Sequence, residues 1–316
     1  MPHTRILVIK LGALGDFLMA LGPMQAIRRH HPDAELVLLT RAAYRPLGEA
    51  TGLFAEVWVD PAPRWSPVAW WRWRSRLRAA GFTRVYDLQT SDRSAGYFRL
   101  FPADRRPEWS GKVAGASHRH VYPEGHRQHS IDRQRAQLAI AGIAEVPLPD
   151  LSFLDGDLAD FGLPERFALL IPGSSPERPV KRWPIERYAE LAARLAAQGA
   201  TPAVVGGEAE AAAGRAIRDR VPSALDLTGR TGLGQLAALA RRAVVAVGND
   251  TGPTHLVALA GCPTVALFSA ASDPAKTAPR GAEVRELHAS SLADLPVDRV
   301  AAAVDDLVRT KGDAPC

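Results

Sequence analysis

The chain alternates short apolar runs with longer amphipathic stretches, and it does so twice. Ile6 to Ile9 is continuously apolar, Leu11 to Asp16 carries two glycines, Phe17 to Arg29 is apolar at helical spacing, and Glu35 to Thr40 is apolar again. Strand, turn, helix, strand in that order predicts a βαβ unit with parallel strands. Further short strands are expected at 57–59 and 84–88. From about 90 to 130 the periodicity breaks up among Arg, Gly, Pro and His, which predicts loops and short helices around a binding face. A helix over 131–143 closes this half, and the stretch from Val146 to Asp150, continuing to Gly162-Leu163-Pro164, has linker composition.

The second half repeats the alternation more clearly. Strands are expected at 167–171, 201–205, 224–227, 244–247 and 264–268, with a less apolar sixth at 284–287. Helices over 185–198, 208–220, 234–241 and 254–260 separate most of them. Strands that are apolar throughout belong to parallel sheets covered by helices on both faces. The expected fold class is therefore α/β, with two doubly wound Rossmann-like domains, residues 1–154 and 155–316, facing across a cleft. In such sheets ligands sit beyond the carboxyl ends of the strands.

Composition narrows the setting. The 316 residues suffice for two cores, and 47% hydrophobic with 23% charged residues excludes a disordered chain. The two cysteines, Cys262 and Cys316, do not make a disulfide framework and fit a reducing compartment. The uncharged stretch 251–272 is broken by Gly252, Pro253, Gly261 and Pro263, so no membrane span is expected. Charge is uneven. Residues 1–150 hold 21 Lys and Arg against 14 Asp and Glu, while residues 151–316 hold 18 against 20. A net of +7 in the first half suggests an anionic partner there, or else a generally solvated Arg-rich surface.

Candidate chemistry lies where strands end. Pro172-Gly173-Ser174-Ser175 follows a strand and precedes Lys181-Arg182-Trp183-Pro184; Gly173 would let a ligand approach the backbone, and hydroxyls and an ammonium suit phosphate. Gly206-Gly207-Glu208 places a carboxylate able to accept from ribose hydroxyls, or simply a favourable charge at a helix start. Asn249-Asp250-Thr251-Gly252-Pro253-Thr254-His255 opens a helix after an apolar strand, so the amides of Thr251 and Gly252 and the macrodipole can receive a pyrophosphate. The alternative there is ordinary capping by Asp250 or Thr251. Asp16, beside Gly12 and Gly15, is either an N-cap or a base at the cleft mouth.

These motifs, from Ile6-Leu7-Val8-Ile9-Lys10 with Leu14-Gly15-Asp16 to the two segments of the second half, resemble glycosyltransferase family 9, the heptosyltransferases of the lipopolysaccharide inner core. The resemblance implies a GT-B fold with the first domain binding acceptor and the second the donor ADP-heptose. It implies an inverting transfer without metal or cofactor, with Asp16 as general base and Lys181 on the phosphate. Ser174 and Ser175 would lie near the diphosphate, Glu208 on the ribose and Asp250 on the donor sugar. Thr251 and Gly252 would form the phosphate cradle, with His255 beside it. Gly15, Arg93, His118 and His120 are the acceptor-binding candidates. The implied partners are a nucleotide sugar and a lipid-anchored anionic glycan, at a cytoplasmic location with peripheral contact on the inner membrane face. Readings from other classes are a GT-B-like enzyme using another nucleotide sugar, such as an epimerase, and a non-catalytic nucleotide-sugar-binding protein.

Several features invite other readings. Asp155-Gly156-Asp157 has the form of a metal-binding pair but lies in linker sequence, so turn chemistry is expected. The glycine-rich run 229–234 lacks the strand-to-glycine junction of a dinucleotide fingerprint. His118, His120, His126 and His129 lack the partners of a zinc site. No zinc finger, RNP motif or helix-turn-helix supports nucleic-acid binding. The Trp and Arg cluster at Arg64-Trp65 and 70–78 either lies in a membrane interface or packs its indoles on the sheet with Arg in water.

Overall fold

The computed structural model describes residues 4–62, 66–123, 125, 127–175 and 178–312. Arg64, Trp65, His126 and Cys316 lie outside the described residues. The chain divides into two compact units, Met1–Pro149 and Asp150–Cys316. The division falls before Leu151 because that residue is held by the second unit, where the Arg241 guanidinium donates to its carbonyl at 2.7 Å.

The first unit holds six parallel strands: β1 (Arg5–Ile9), β2 (Glu35–Thr40), β3 (Glu56–Val59), β4 (Arg84–Asp87), β5 (Glu108–Gly111) and β6 (His118–Arg119). They run in the order β3-β2-β1-β4-β5-β6. The helices are α1 (Leu14–His30), α2 (Arg45–Ala50), α3 (Pro67–Ala79), α4 (Asp92–Phe98) and α5 (Ser130–Ile140). The chain builds from the centre to one edge, then returns to lay β4 on the other side of β1. The side-by-side ends of β1 and β4, with Ile9 opposite Asp87, are thus the topological switch point where such a sheet offers a crevice. Strands β5 and β6 and helix α4 lie within 90–130, expected as loops and short helices. They are short, and β6 has only two residues, too few to show a period.

The second unit repeats this plan. Strands β7 (Phe167–Ile171), β8 (Thr201–Val204), β9 (Leu225–Asp226), β10 (Val245–Asn249), β11 (Thr264–Phe268) and β12 (Val284–His288) are all parallel, in the order β12-β11-β10-β7-β8-β9. Here the switch point lies between β7 and β10, with Ile171 opposite Gly248. The helices are α6 (Ile185–Ala197), α7 (Ala211–Arg220), α8 (Leu233–Arg242), α9 (Gly252–Leu259), α10 (Pro274–Thr277) and α11 (Val297–Gly312). Ile6 to Ile9 and Phe167 to Ile171 are fully enclosed, as central parallel strands must be. Trp58, Trp73 and Tyr97 stack edge to face in the first core, and Trp183 and Tyr188 in the second.

Candidate active site

In the first unit the βα turn after β1 delivers Asp16. Ala13 is the N-cap of α1 and offers no side-chain cap; Asp16 sits in the first helical turn, exposed and without a hydrogen-bond or ion-pair partner among the described residues. It is therefore not spent on capping. A Cβ on Gly12 would lie 3.0 Å from the Asp16 Cβ, so the glycine leaves the room the carboxylate occupies. The turn is pinned across the switch point, since the Leu11 amide donates to Gln89 Oε1 at 2.8 Å.

Asp16 lines a pocket of about 240 Å³ shared with Lys10, Gln89, Lys112, Tyr122 and Arg133. Three cations converge there. Lys10 is buried and donates to the Leu88 carbonyl at 3.4 Å. Burial depresses its pKa, the Asp16 and Asp87 carboxylates oppose that fall, and Arg133 adds to it. Beneath the pocket Asp87 is fully buried. Its Oδ1 accepts the amides of Gln89 and Thr90 at 3.1 and 2.9 Å, while its Oδ2 has no partner. Burial raises its pKa to about 6 against the pull of those amides, Ser94 and Lys10.

The other acceptor-side candidates divide. Gly15 is buried within α1 behind Asp16. His120 does not line the pocket, but it stacks at 5.1 Å on Tyr122, which does, and burial with the Arg133 charge lowers its pKa. Arg93 and His118 are not among the lining residues. The Arg93 guanidinium is held by the nearly buried Asp60 at 2.7 and 2.8 Å, and the Tyr97 hydroxyl donates to the same carboxylate. The pair leaves the Arg93 side chain 38% exposed. His118 lies on edge strand β6, its Nδ1 3.3 Å from the Ser117 hydroxyl. His129 is buried and caps α5 by accepting the Ile131 amide.

In the second unit Asp250 is the hub. Lys181 donates to its Oδ2 at 2.6 Å, Ser272 donates to the same oxygen at 2.6 Å, and His255 Nε2 lies 3.8 Å from Oδ1. Burial alone would raise the Asp250 pKa, but His255, Lys181 and Ser272 hold it well below the usual carboxylate range. Lys181 and Asp250 are only 13% and 9% exposed, yet an ammonium carries three donors and one is used here. Two remain for a ligand.

Asp250 is thus not the cap of α9. Thr251 occupies the N-cap position with extended backbone but makes no side-chain cap bond, and Gly252 and Pro253 follow. The first-turn amides of this helix stay available to an anion, and the dipole favours one. Asn249, to which no role was given from the sequence, ties the switch point together. Its amide donates to Pro172 and Gly173 carbonyls at 2.8 and 3.3 Å, and its oxygen accepts from the Trp183 amide and the Tyr188 hydroxyl. The available signal was a lone amide ending an apolar strand, since a buried Asn must find partners on both atoms.

Other expectations shift. A Cβ on Gly173 would lie 2.9 Å from the Glu210 carboxyl carbon, so the glycine makes room for Glu210 as well. Glu210 also accepts the Gly207 amide at 2.9 Å, while the exposed Glu208 opens the short 3-10 turn Glu208–Glu210 ahead of α7, so it also holds the helix-start position. Ser174 is buried, its hydroxyl donating to the Arg178 carbonyl and accepting from Arg182, whereas Ser175 is exposed. Asp155 and Asp157 accept the Gly156 and Ala159 amides, which is turn chemistry. The run 229–234 starts α8, with Gln235 Oε1 accepting the Gly232 amide.

The family model for glycosyltransferase family 9 (heptosyltransferase) matches residues 70–297, most of the chain. The chain belongs to this family. This glycosyltransferase is 26% identical over 288 residues to lipopolysaccharide heptosyltransferase 1 of Pseudomonas aeruginosa, covering 84% of this chain and 78% of that protein. It is 27% identical to lipopolysaccharide heptosyltransferase 2 of Salmonella typhimurium, over 85% and 83% of the two chains. The structure of E. coli ADP-heptose lps heptosyltransferase II superposes with a TM-score of 0.77 at 23% identity, over 98% of this chain and 100% of that one. The expected GT-B-type α/β fold is the fold of that neighbour.

Proposed function

We propose that this family 9 glycosyltransferase moves a heptose from ADP-heptose to an anionic, lipid-anchored inner-core acceptor of lipopolysaccharide, at the cytoplasmic face of the inner membrane. The names of its relatives supply the sugar, the nucleotide and the acceptor class. The observation that carries the mechanism is Asp16, a carboxylate at a switch point with no partner among the described residues, in a pocket of three cations. Lys10, Lys112 and Arg133 suit the negative groups of the acceptor, and Asp16 takes the proton from its attacking hydroxyl.

On the donor side the diphosphate settles on the amides of Thr251 and Gly252, with Lys181 as counter-charge. As the anomeric C–O bond to the diphosphate breaks, charge grows on the leaving oxygen, and Lys181 with the α9 N-terminus stabilises it without a metal. Glu208 takes the ribose hydroxyls. Asp250 orients Lys181, contacts the sugar, and stays ionised throughout the working pH range. One displacement from the face opposite the leaving group inverts the anomeric centre.

Nucleotide sugars screened for thermal stabilisation identify the donor, because selective binding raises apparent stability by mass action. ADP-heptose is expected to stabilise the protein more than UDP- or GDP-sugars, and the product is expected to carry the inverted linkage. Equal stabilisation by all donors, or retention at the anomeric carbon, refutes the reading.

A further inference from the structure

Helix α3 is held to the first unit by one face only. Trp73 and Leu77 are buried against Trp58 and Tyr97, and that burial anchors the helix. At about 100° per residue, the opposite face carries Val68, Trp71, Ser75 and Ala79 as a ridge. Arg72 and Arg76 flank it on one side, Arg74 and Arg78 on the other. Trp71 is 66% exposed and Val68 58%. The helix has four Arg and no Asp or Glu.

The arginines do not all serve the fold. Arg76 stacks 3.9 Å over the Trp58 ring, and Arg78 donates to the Leu100 carbonyl at 2.7 Å. Arg72 and Arg74 make no hydrogen bond or ion pair among the described residues. An apolar ridge between two cationic rows is the pattern that an anionic bilayer surface satisfies. The indole finds the glycerol and upper acyl layer while the guanidinium groups find phosphate oxygens a few ångström higher.

We propose that α3 is a peripheral docking helix for anionic lipid, with Trp71 and Val68 inserted at the interface and Arg72 and Arg74 on headgroup phosphates. The contact lies on the surface: no helix among the described residues is long and apolar enough to cross a membrane. At 13 residues the helix is about 20 Å long, enough to cover several headgroups. Vesicle binding is read without donor or acceptor, so this proposal and the proposed function fail separately.

The test is flotation of the full-length protein with vesicles of 7:3 phosphatidylcholine to phosphatidylglycerol, against pure phosphatidylcholine, at low and near-physiological salt. The wild type is expected to float with the mixed vesicles, less so as salt rises. R72E/R74E should lower the partition roughly 30-fold or more, with R72Q/R74Q intermediate, since each basic residue near an anionic surface contributes a factor of about five. V68S/W71S should lower it roughly tenfold. All these side chains are exposed, so unchanged melting temperatures verify the fold. Failure of the wild type to float, or equal flotation of all variants, overturns the proposal. So does a self-associated wild type that V68S/W71S turns into a monomer, because the ridge then binds a second copy.

Discussion

The two units share one strand order and place one carboxylate each at the equivalent switch point, yet they treat those carboxylates in opposite ways. Asp16, after β1, is exposed and has no partner among the described residues. Asp250, after β10, is enclosed and held by Lys181 and Ser272 with His255 nearby. A group that must accept a proton needs a free lone pair and a reachable solvent or substrate hydroxyl. A group that orients a cation needs the reverse. The same topology thus supplies a reactive position in one unit and a structural one in the other.

The largest effects should come from exchanging the two carboxylates' circumstances. Asp16→Ala is expected to cut turnover by about 10²–10⁴-fold while ADP affinity by calorimetry and the melting temperature change little. Lys181→Ala should do the opposite on stability. It strands the buried Asp250 charge, and breaking a buried pair costs about 3–5 kcal/mol. Urea titration should show that loss together with weaker ADP binding. If Asp16→Ala is as destabilising as Lys181→Ala, or if both retain near-wild-type transfer, the division of labour is wrong.

Much of this contrast was legible in the chain, and the parts that were not share a cause. Both sheets could be read because their central strands are apolar throughout, and Asp16 and Asp250 could be found because one opens the helix after such a strand and the other directly follows one. The contacts that decide what each carboxylate can do come from far along the chain: Gln89 against Leu11, Ser272 against Asp250, Asn249 against Pro172. Spacing carries no record of them. Gly173 shows the same limit, since only the fold reveals that Glu210 lies beside it. Nor does spacing show that Asp60, 33 residues earlier, holds the Arg93 guanidinium.

Buried carboxylates should also give the units opposite responses to acid. Asp250 has a depressed pKa, so its contribution is present above the ordinary carboxylate value of 3.8 and is lost as pH falls below it. Asp87 has a pKa raised from 3.8 to about 6. Its contribution is present below 3.8 and is lost as pH rises through 6, leaving an ionised, partly unpaired group at neutral pH. Asp87→Asn keeps an oxygen for the Gln89 and Thr90 amides and removes that titration. Relative to wild type, the variant should gain up to about 3 kcal/mol between pH 4 and pH 7 by denaturant titration. A constant difference across that range would mean that Lys10 fully neutralises Asp87 in the folded protein.

The smallest expected effects separate the units through their glycines. In the second unit a Cβ on Gly248 would collide with the Thr254 hydroxyl and lie 3.0 Å from the Ile171 Cβ, both on elements that cannot shift independently. Gly248→Ala should therefore cost about 1–3 kcal/mol, as overpacking does. In the first unit the nearest atoms to a Cβ on Gly12 would be the Asp16 Cβ at 3.0 Å, an Asp16 carboxylate oxygen at 3.3 Å and Gln89 Oε1 at 3.4 Å. The carboxylate can rotate away and the Cβ contact asks only a small shift of the first turn of α1, so Gly12→Ala should cost less stability than Gly248→Ala. Moving the carboxylate off its line to the acceptor should still lower kcat by more than it changes the donor KM, because misplacing a proton acceptor by an ångström costs rate rather than binding. Unaltered kcat in a protein of unaltered stability would show that Asp16 needs no fixed position, and with it would go the claim that the first switch point is built around a free carboxylate.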